Sequence, residues 1–299
     1  MATHAGAPPL AVLDLDEPVS KDTVWRRFRR HRLALVGAII LAIFCLAALF
    51  APWVALHDPY FIDLDQIKAP PSASHLLGTD AAGRDVFARL VFGARVSMSV
   101  GIVAVVISSA IGTFIGLISG YRGGVIDSLL MRFTELVMTF PTLFAVIILV
   151  SLVGPSVFNV MLVIGVLGWT GIARLVRGQV LYERELDYVT AARALGASDR
   201  RIIYGHILPA VTSYIMVAAT LGVAYAILTE AALSFLGLGI QIPTPSWGTM
   251  LYAAQSLPVL RDQPWLWLPP GLAIALAVLA TNFLGDGLRD ALDPHMKID

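Results

Sequence analysis

A chain of 299 residues that is 57% apolar and 14% charged, with mean hydropathy +0.77, is too hydrophobic for an ordinary soluble domain and belongs in a bilayer. Its 21 Lys and Arg balance 21 Asp and Glu, so bulk charge gives no reason to expect a nucleic-acid partner and the placement of the charges carries the information. The lone Cys45 lies in an apolar run, cannot form an internal disulfide, and reads as a small inert hydrophobe.

Residues 1–32 form an N-terminal tail, loose over 1–20, that ends in the basic run Lys21, Arg26, Arg27, Arg29, Arg30 and Arg32. A spanning helix needs about 20 apolar residues. The charge-free run 33–56 meets that length and is too long for a cleaved signal core, so it is expected to be a retained anchor. With the segment that follows it makes a unit over 33–95, in which glycines and the step Thr79-Asp80 mark turns before an amphipathic entry to a second span at 96–121. The uncharged stretch 136–173 would, at about 1.5 Å per residue, be nearly twice the roughly 30 Å of hydrocarbon and has to fold back. Gly154, Pro155 and Ser156 supply that turn, giving a third span at 128–153 and a fourth at 157–174.

Before the fifth span, 210–236, lies a polar insert within a loop expected over 179–209. Over 187–209 it reads DYVTAARALGASDRRIIYGHILP. Tyr188, Ala192 and Leu195 fall at i, i+4 and i+7, so one side of a short helix is apolar while Asp187 and Arg193 point elsewhere. Gly196 breaks that helix. Ser198 and Asp199 suit the start of a second one, and Pro209 fits the first turn of the next. The expected unit is helix, tight turn, helix, with Ala191, Ala192 and Ala194 small enough to admit another surface. A loop over 237–264 follows, containing PTPSWGTML at 243–251, where two prolines argue against a helix beginning before Ser246. The sixth span is expected at 265–285, within a core of 96–290, and 291–299 forms a C-terminal tail.

The fold class is therefore an all-α membrane protein of six transmembrane helices with both termini on one side. Sixteen Lys and Arg fall on the side of the termini and the polar insert, against Lys68, Arg84, Arg89, Arg95 and Arg261 on the other, which predicts that the first side is cytoplasmic. No GxxxxGK[ST] phosphate loop occurs. The six histidines are scattered, with no HExxH and no pair at metal-ligand spacing, so no metal site is expected. No Ser/His/Asp set points to hydrolysis. An ion-coupled secondary carrier would favour interrupted helices with buried charge near mid-membrane, whereas these spans are mostly charge-free. An intramembrane hydrolase would need a nucleophile or metal set within the bilayer, and none is visible.

The insert, with Thr190, Ala191, Ala192, Gly196, Ile207, Leu208 and Pro209, resembles the EAA loop of inner-membrane permease subunits of ATP-binding-cassette importers, with Thr190 in place of the leading glutamate. HLLGTDAAGRDVFARLVFGAR at 75–95, GYRGGVIDSLLMRFTELVMTFP at 120–141, EAALSFLGLG at 230–239, PTPSWGTM and NFLGDGLRDALDP at 282–294 extend the resemblance to the oligopeptide/dipeptide/nickel branch and its C-type subunit. The resemblance implies a type I importer permease fold in a bacterial plasma membrane, with cytoplasmic termini and a coupling helix seated in a cytoplasmic ATPase. Coupling would rest on Tyr188, Ala191, Ala192, Arg193, Leu195, Gly196 and Pro209. Implied partners are a second homologous permease, one or two ATPase subunits, an external substrate-binding protein and membrane lipid. No cofactor belongs to this chain, since ATP and Mg²⁺ would bind the ATPases, and no catalysis of its own is expected. The implied cargo is short peptides, with nickel or glutathione-like solutes as the alternative.

Single residues leave alternatives open. Glu230, with Ser234 one turn on, lies inside the fifth span and either lines the transport path near its external mouth or hydrogen-bonds between packed helices. Arg132 and Glu135 are placed to pair with each other or with headgroups. Asp286, Arg289, Asp290 and Asp293 are placed to cap and solvate the cytoplasmic end of the sixth span or to touch the ATPase. Gly112, Gly116 and Gly120 make overlapping GxxxG steps for packing within the chain or against the partner permease. Trp247, Trp265 and Trp267 fit an external interfacial belt.

Overall fold

The basic run and the first apolar run become two helices joined at His31. A computed structural model describes residues 21–292, so the expectations for 1–20 and for 293–299 lie outside the described residues. α1 (Lys21–Arg30) leads into α2 (Arg32–Leu49), whose first turn is closed by His31 Nδ1 accepting from the Ala34 N–H at 3.1 Å. After the short α3 (Ala51–Val54) the chain wanders to Asp85, which caps α4 (Val86–Arg122) by accepting from the Ala88 N–H at 2.7 Å. α4 starts at Val86 rather than 96 because nothing between its cap and the apolar run breaks a helix.

The third span departs from expectation. It is two helices, α5 (Gly124–Thr139) and α6 (Thr142–Val153), bent by 83° at Phe140 and Pro141. Proline has no N–H to continue the ladder and pushes the preceding residue out of the helical region, and Phe140 accordingly sits at φ −84°, ψ 130°. The expected turn at Gly154 forms as well. Ser156 caps α7 (Val157–Leu167), and the Asn159 amide donates to the Val153 and Gly154 carbonyls. α8 (Trp169–Glu183) carries the fourth run past 174. Then come α9 (Asp187–Ala194), α10 (Asp199–Ile202), a π-turn at Ile203–Ile207 and α11 (Leu208–Phe235). α12 (Trp247–Leu251) starts at its Ser246 cap, followed by α13 (Leu257–Asp262) and α14 (Pro264–Leu292). Five runs are long and apolar enough to cross a membrane, and the bent α5–α6 pair makes up to six.

α4 runs through the middle of the bundle. Its Gly112, Gly116 and Gly120 lie against α8 so closely that an added Cβ would meet the Trp169, Ala173 and Arg177 carbonyls at 2.7, 2.7 and 2.9 Å. The GxxxG surface is thus used for packing within the chain. Gly37 similarly brings α2 onto α14, next to the Ala280 carbonyl. Buried Val100, Ala104, Val146, Val160 and Leu233 join α4, α6, α7 and α11. Met98, Ile227, Trp247, Ile274 and Ala277 join α4, α11, α12 and α14.

The outer surface carries many large apolar side chains. Ile39, Ile43, Phe114, Leu129 and Leu152 are all more than half exposed. Leaving such a side chain in water forfeits about 1.5–3 kcal/mol, so a surface carrying dozens of them is stable only in hydrocarbon or against protein.

Candidate functional site

The polar insert folds into a hairpin at the end of the bundle where α4 and α8 finish. Hydrogen bonds from the Gly196 N–H to the Arg193 carbonyl and from the Ala197 N–H to the Ala192 carbonyl, both 3.0 Å, stop α9 in a Schellman arrangement. Gly196 sits at φ +82° with nothing within 4 Å of the place a Cβ would occupy, so the glycine is there for its backbone alone. Ser198 caps α10 through the Arg201 N–H, with Asp199 in the first turn. Pro209 lies in the first turn of α11, as expected. The π-turn ahead of it, with the Leu208 N–H bonded to the Ile203 carbonyl, shifts the ladder where proline offers no donor.

The hairpin is anchored from beneath. Val189, Ile202 and Ile207 are fully buried with Leu117 of α4, Val176 and Val180 of α8 and Val211 of α11. Val189 was not singled out from sequence, because the i, i+4, i+7 pattern through Tyr188 hid the inward residue beside it. Polar ties add to this anchor. Arg184 donates to the Gly120 carbonyl at 2.8 Å, Tyr121 donates to Asp199 at 2.7 Å, and the Arg193 guanidinium stands 6.0 Å from the centre of the Tyr121 ring. Arg193 therefore braces the hairpin against α4 instead of standing free. Asp127 receives both arms of the Arg177 guanidinium at 2.6 Å and the Ser119 hydroxyl, joining α5, α8 and α4.

The outward face carries Ala191 and Leu195, the latter 88% exposed, with Tyr188 at its edge and Ala192 half-buried. The Tyr188 hydroxyl donates to Glu183 at 2.6 Å. Burial, then that carboxylate, hold the phenol above its usual range, so it stays a donor. A naked leucine thus stands beside two small residues on a unit packed against three long helices.

Glu230 and Ser234 lie away from this hairpin and face inward. Both are buried, and the carboxylate accepts from Ser97 at 3.0 Å and from Ser234 and Ser246 at 2.8 Å each. The arrangement is the interhelical one, a hub holding the segment before α12 onto α4 and α11. Trp247 is also not interfacial. It is fully buried, edge-on to Phe44 with centroids 5.2 Å apart, because the capping box of Ser246 and Thr249 turns α12 inward onto Gly93. Trp265 and Trp267 are partly exposed. Arg132 and Glu135 pair at 3.1 Å on an exposed face, as expected. His57 and His75, far apart in sequence, converge on Asp85 in the long loop before α4. A separate cavity of about 370 Å³ opens between α4, α7, α8 and α11, lined by small or apolar residues including Ser108, Gly168, Gly171, Gly222 and Tyr225.

Comparison with known proteins agrees with this architecture. Residues 112–298 match the model of binding-protein-dependent transport system inner membrane components, and residues 22–71 match the N-terminal TM domain of oligopeptide transport permease C. The chain is 44% identical over 273 residues to a putative peptide permease protein of Brucella suis, covering 91% of this chain and 90% of that one. It is 42% identical over 288 residues to the oligopeptide transport system permease protein of Bacillus subtilis, covering 94% and 93%. It is also 42% identical over 274 residues to a glutathione transport system permease protein of Escherichia coli, covering 91% and 90%. The chain thus belongs to the family of binding-protein-dependent transport system inner membrane components and is a multi-pass permease subunit of the inner membrane.

Proposed function

We propose that this permease forms half of the pathway of an ATP-driven importer for short peptides and takes its motion from separate ATPase subunits through the hairpin at 187–209. The observation that supports this most is the Schellman-stopped hairpin, with Leu195 and Ala191 bare on top and Val189, Ile202 and Ile207 locked into α4, α8 and α11 beneath. Displacing the hairpin carries three long helices with it, and these same helices line the cavity that holds Ser108 and Tyr225. In this reading the hairpin and both termini are cytoplasmic. ATP and Mg²⁺ bind the ATPases, and this chain performs no chemistry of its own.

The other half of the pathway is a second, related permease. α5 and α6 offer it an apolar surface, with Val125, Leu129, Leu136 and Phe144 exposed around the 83° bend. An external binding protein delivers cargo. Peptide-transport names among the relatives favour peptides, and the glutathione permease among them supports a glutathione-like solute as the second reading.

Affinity purification of the full chain from its native membrane, followed by reconstitution, tests the proposal. The expected result is a complex with a second permease and one or two ATPases, taking up peptide only with ATP. Accumulation of solute by this chain alone would overturn it.

A further inference from the structure

We propose that His57, His75 and Asp85 form a binding site for a transition-metal dication of the Zn²⁺ type in the loop ahead of α4, at the end of the bundle opposite the hairpin. Their ligand atoms all lie within 4.8 Å of one another, the one such group among the described residues. His75 Nδ1 is 2.8 Å and His57 Nδ1 3.6 Å from the same Asp85 Oδ2, and the two rings are 4.9 Å apart. Tetrahedral zinc with bonds of about 2.0–2.1 Å wants its ligand atoms about 3.3 Å apart. The close pair has to open by about half an ångström and the widest to shorten by about 1.5 Å, which side-chain rotation supplies.

The carboxylate is held ready for such a charge. Asp85 is nearly buried, its Oδ1 is engaged by the Ala88 N–H, and its backbone is fixed by the bridge to Thr79. Among the described residues the basic groups within 4.0 Å of it are the two imidazoles, since Arg84 and Arg89 both serve Asp80. His75 is set by its own backbone bonds to Ser72. Two imidazole nitrogens with one carboxylate oxygen favour Zn²⁺ or Co²⁺ over Mg²⁺ or Ca²⁺, which prefer all-oxygen shells. His57 also borders an open cavity of about 490 Å³, giving the ion a way in and leaving its fourth position to water or to a side chain of a docked protein.

The test uses the full-length chain, purified without a polyhistidine tag and titrated with Co²⁺ and Zn²⁺. One Co²⁺ per chain with the visible absorption of a tetrahedral site, displaced by Zn²⁺, is expected. His57→Ala, which removes a partly exposed ring bearing no cap, should weaken Zn²⁺ binding more than about 10-fold and abolish the thermal stabilisation Zn²⁺ gives the wild type. Asp85→Asn keeps a residue able to cap α4 and should lose binding comparably. If the wild type binds no stoichiometric Co²⁺ or Zn²⁺, or if His57→Ala binds as tightly as wild type, the site does not exist. Should Asp85→Asn fail to fold, His57→Ala alone decides.

Discussion

The Tyr121 hydroxyl at the last turn of α4 donates to the Asp199 carboxylate at the first turn of α10, 2.7 Å away. This bond spans the joint between the longest helix of the bundle and the hairpin. Because Arg193 stands over the same ring, one tyrosine holds both arms of the hairpin. Tyr121→Phe keeps the ring and loses the bond. We expect a small loss of stability, about 0.5–1.5 kcal/mol, with the complex still assembled. The diagnostic effect is a lower ratio of solute moved to ATP consumed in proteoliposomes. An unchanged ratio removes Tyr121 from the coupling route.

Gly196→Val tests the turn itself. There is room for the side chain, so any defect comes from the backbone at φ +82°, where a β-branched residue costs about 1–2 kcal/mol. The helix stop should shift and the ATPase should lose either its binding or its coupling. Gly196→Asn, which tolerates the left-handed region, should behave close to wild type. Pull-down of the ATPase with both variants distinguishes strain at this turn from a general intolerance of substitution.

Leu195→Arg and Ala191→Arg address the contact surface. Leu195 makes little contact within its own chain, so its replacement should leave the melting temperature within about a degree or two of wild type. Losing an apolar anchor and gaining a charge in a close-packed contact should cost ATPase association at least about 10-fold. Association measured by surface-immobilised complex capture, unchanged for both variants, would place the ATPase contact elsewhere.

The hairpin was legible in sequence because its signals are local. Gly196, Ser198 and Pro209 each act on their own backbone within one turn, and each sits where that chemistry placed it. The bend at Pro141 was equally local but was masked by a length argument that a single turn at Gly154 satisfied. Trp247 was beyond reach for another reason, and so were two of the three partners of the interhelical Glu230. Glu230 is met by Ser97 from α4 and by Ser246 from the start of α12, and neither lies within helical spacing of it. The three loop ligands around Asp85 are likewise joined by folding and not by spacing. Helix starts and stops are written in single residues, whereas buried polar hubs are written in the packing of distant segments.

Glu230 separates a structural hub from a path residue. Glu230→Gln keeps an acceptor for Ser234 and Ser246, and the Ser97 hydroxyl can turn to accept from the new amide, so stability and transport should stay near wild type. Glu230→Leu fills a similar volume but strands three buried hydroxyls, at about 1–3 kcal/mol for each left unsatisfied. It should lower the melting temperature and loosen the segment before α12, seen as faster amide exchange around Ser246 and Trp247. If Glu230→Gln instead stopped transport while melting as wild type, the carboxylate charge itself would be used by the cargo, and the hub would have to open during the transport cycle to expose it.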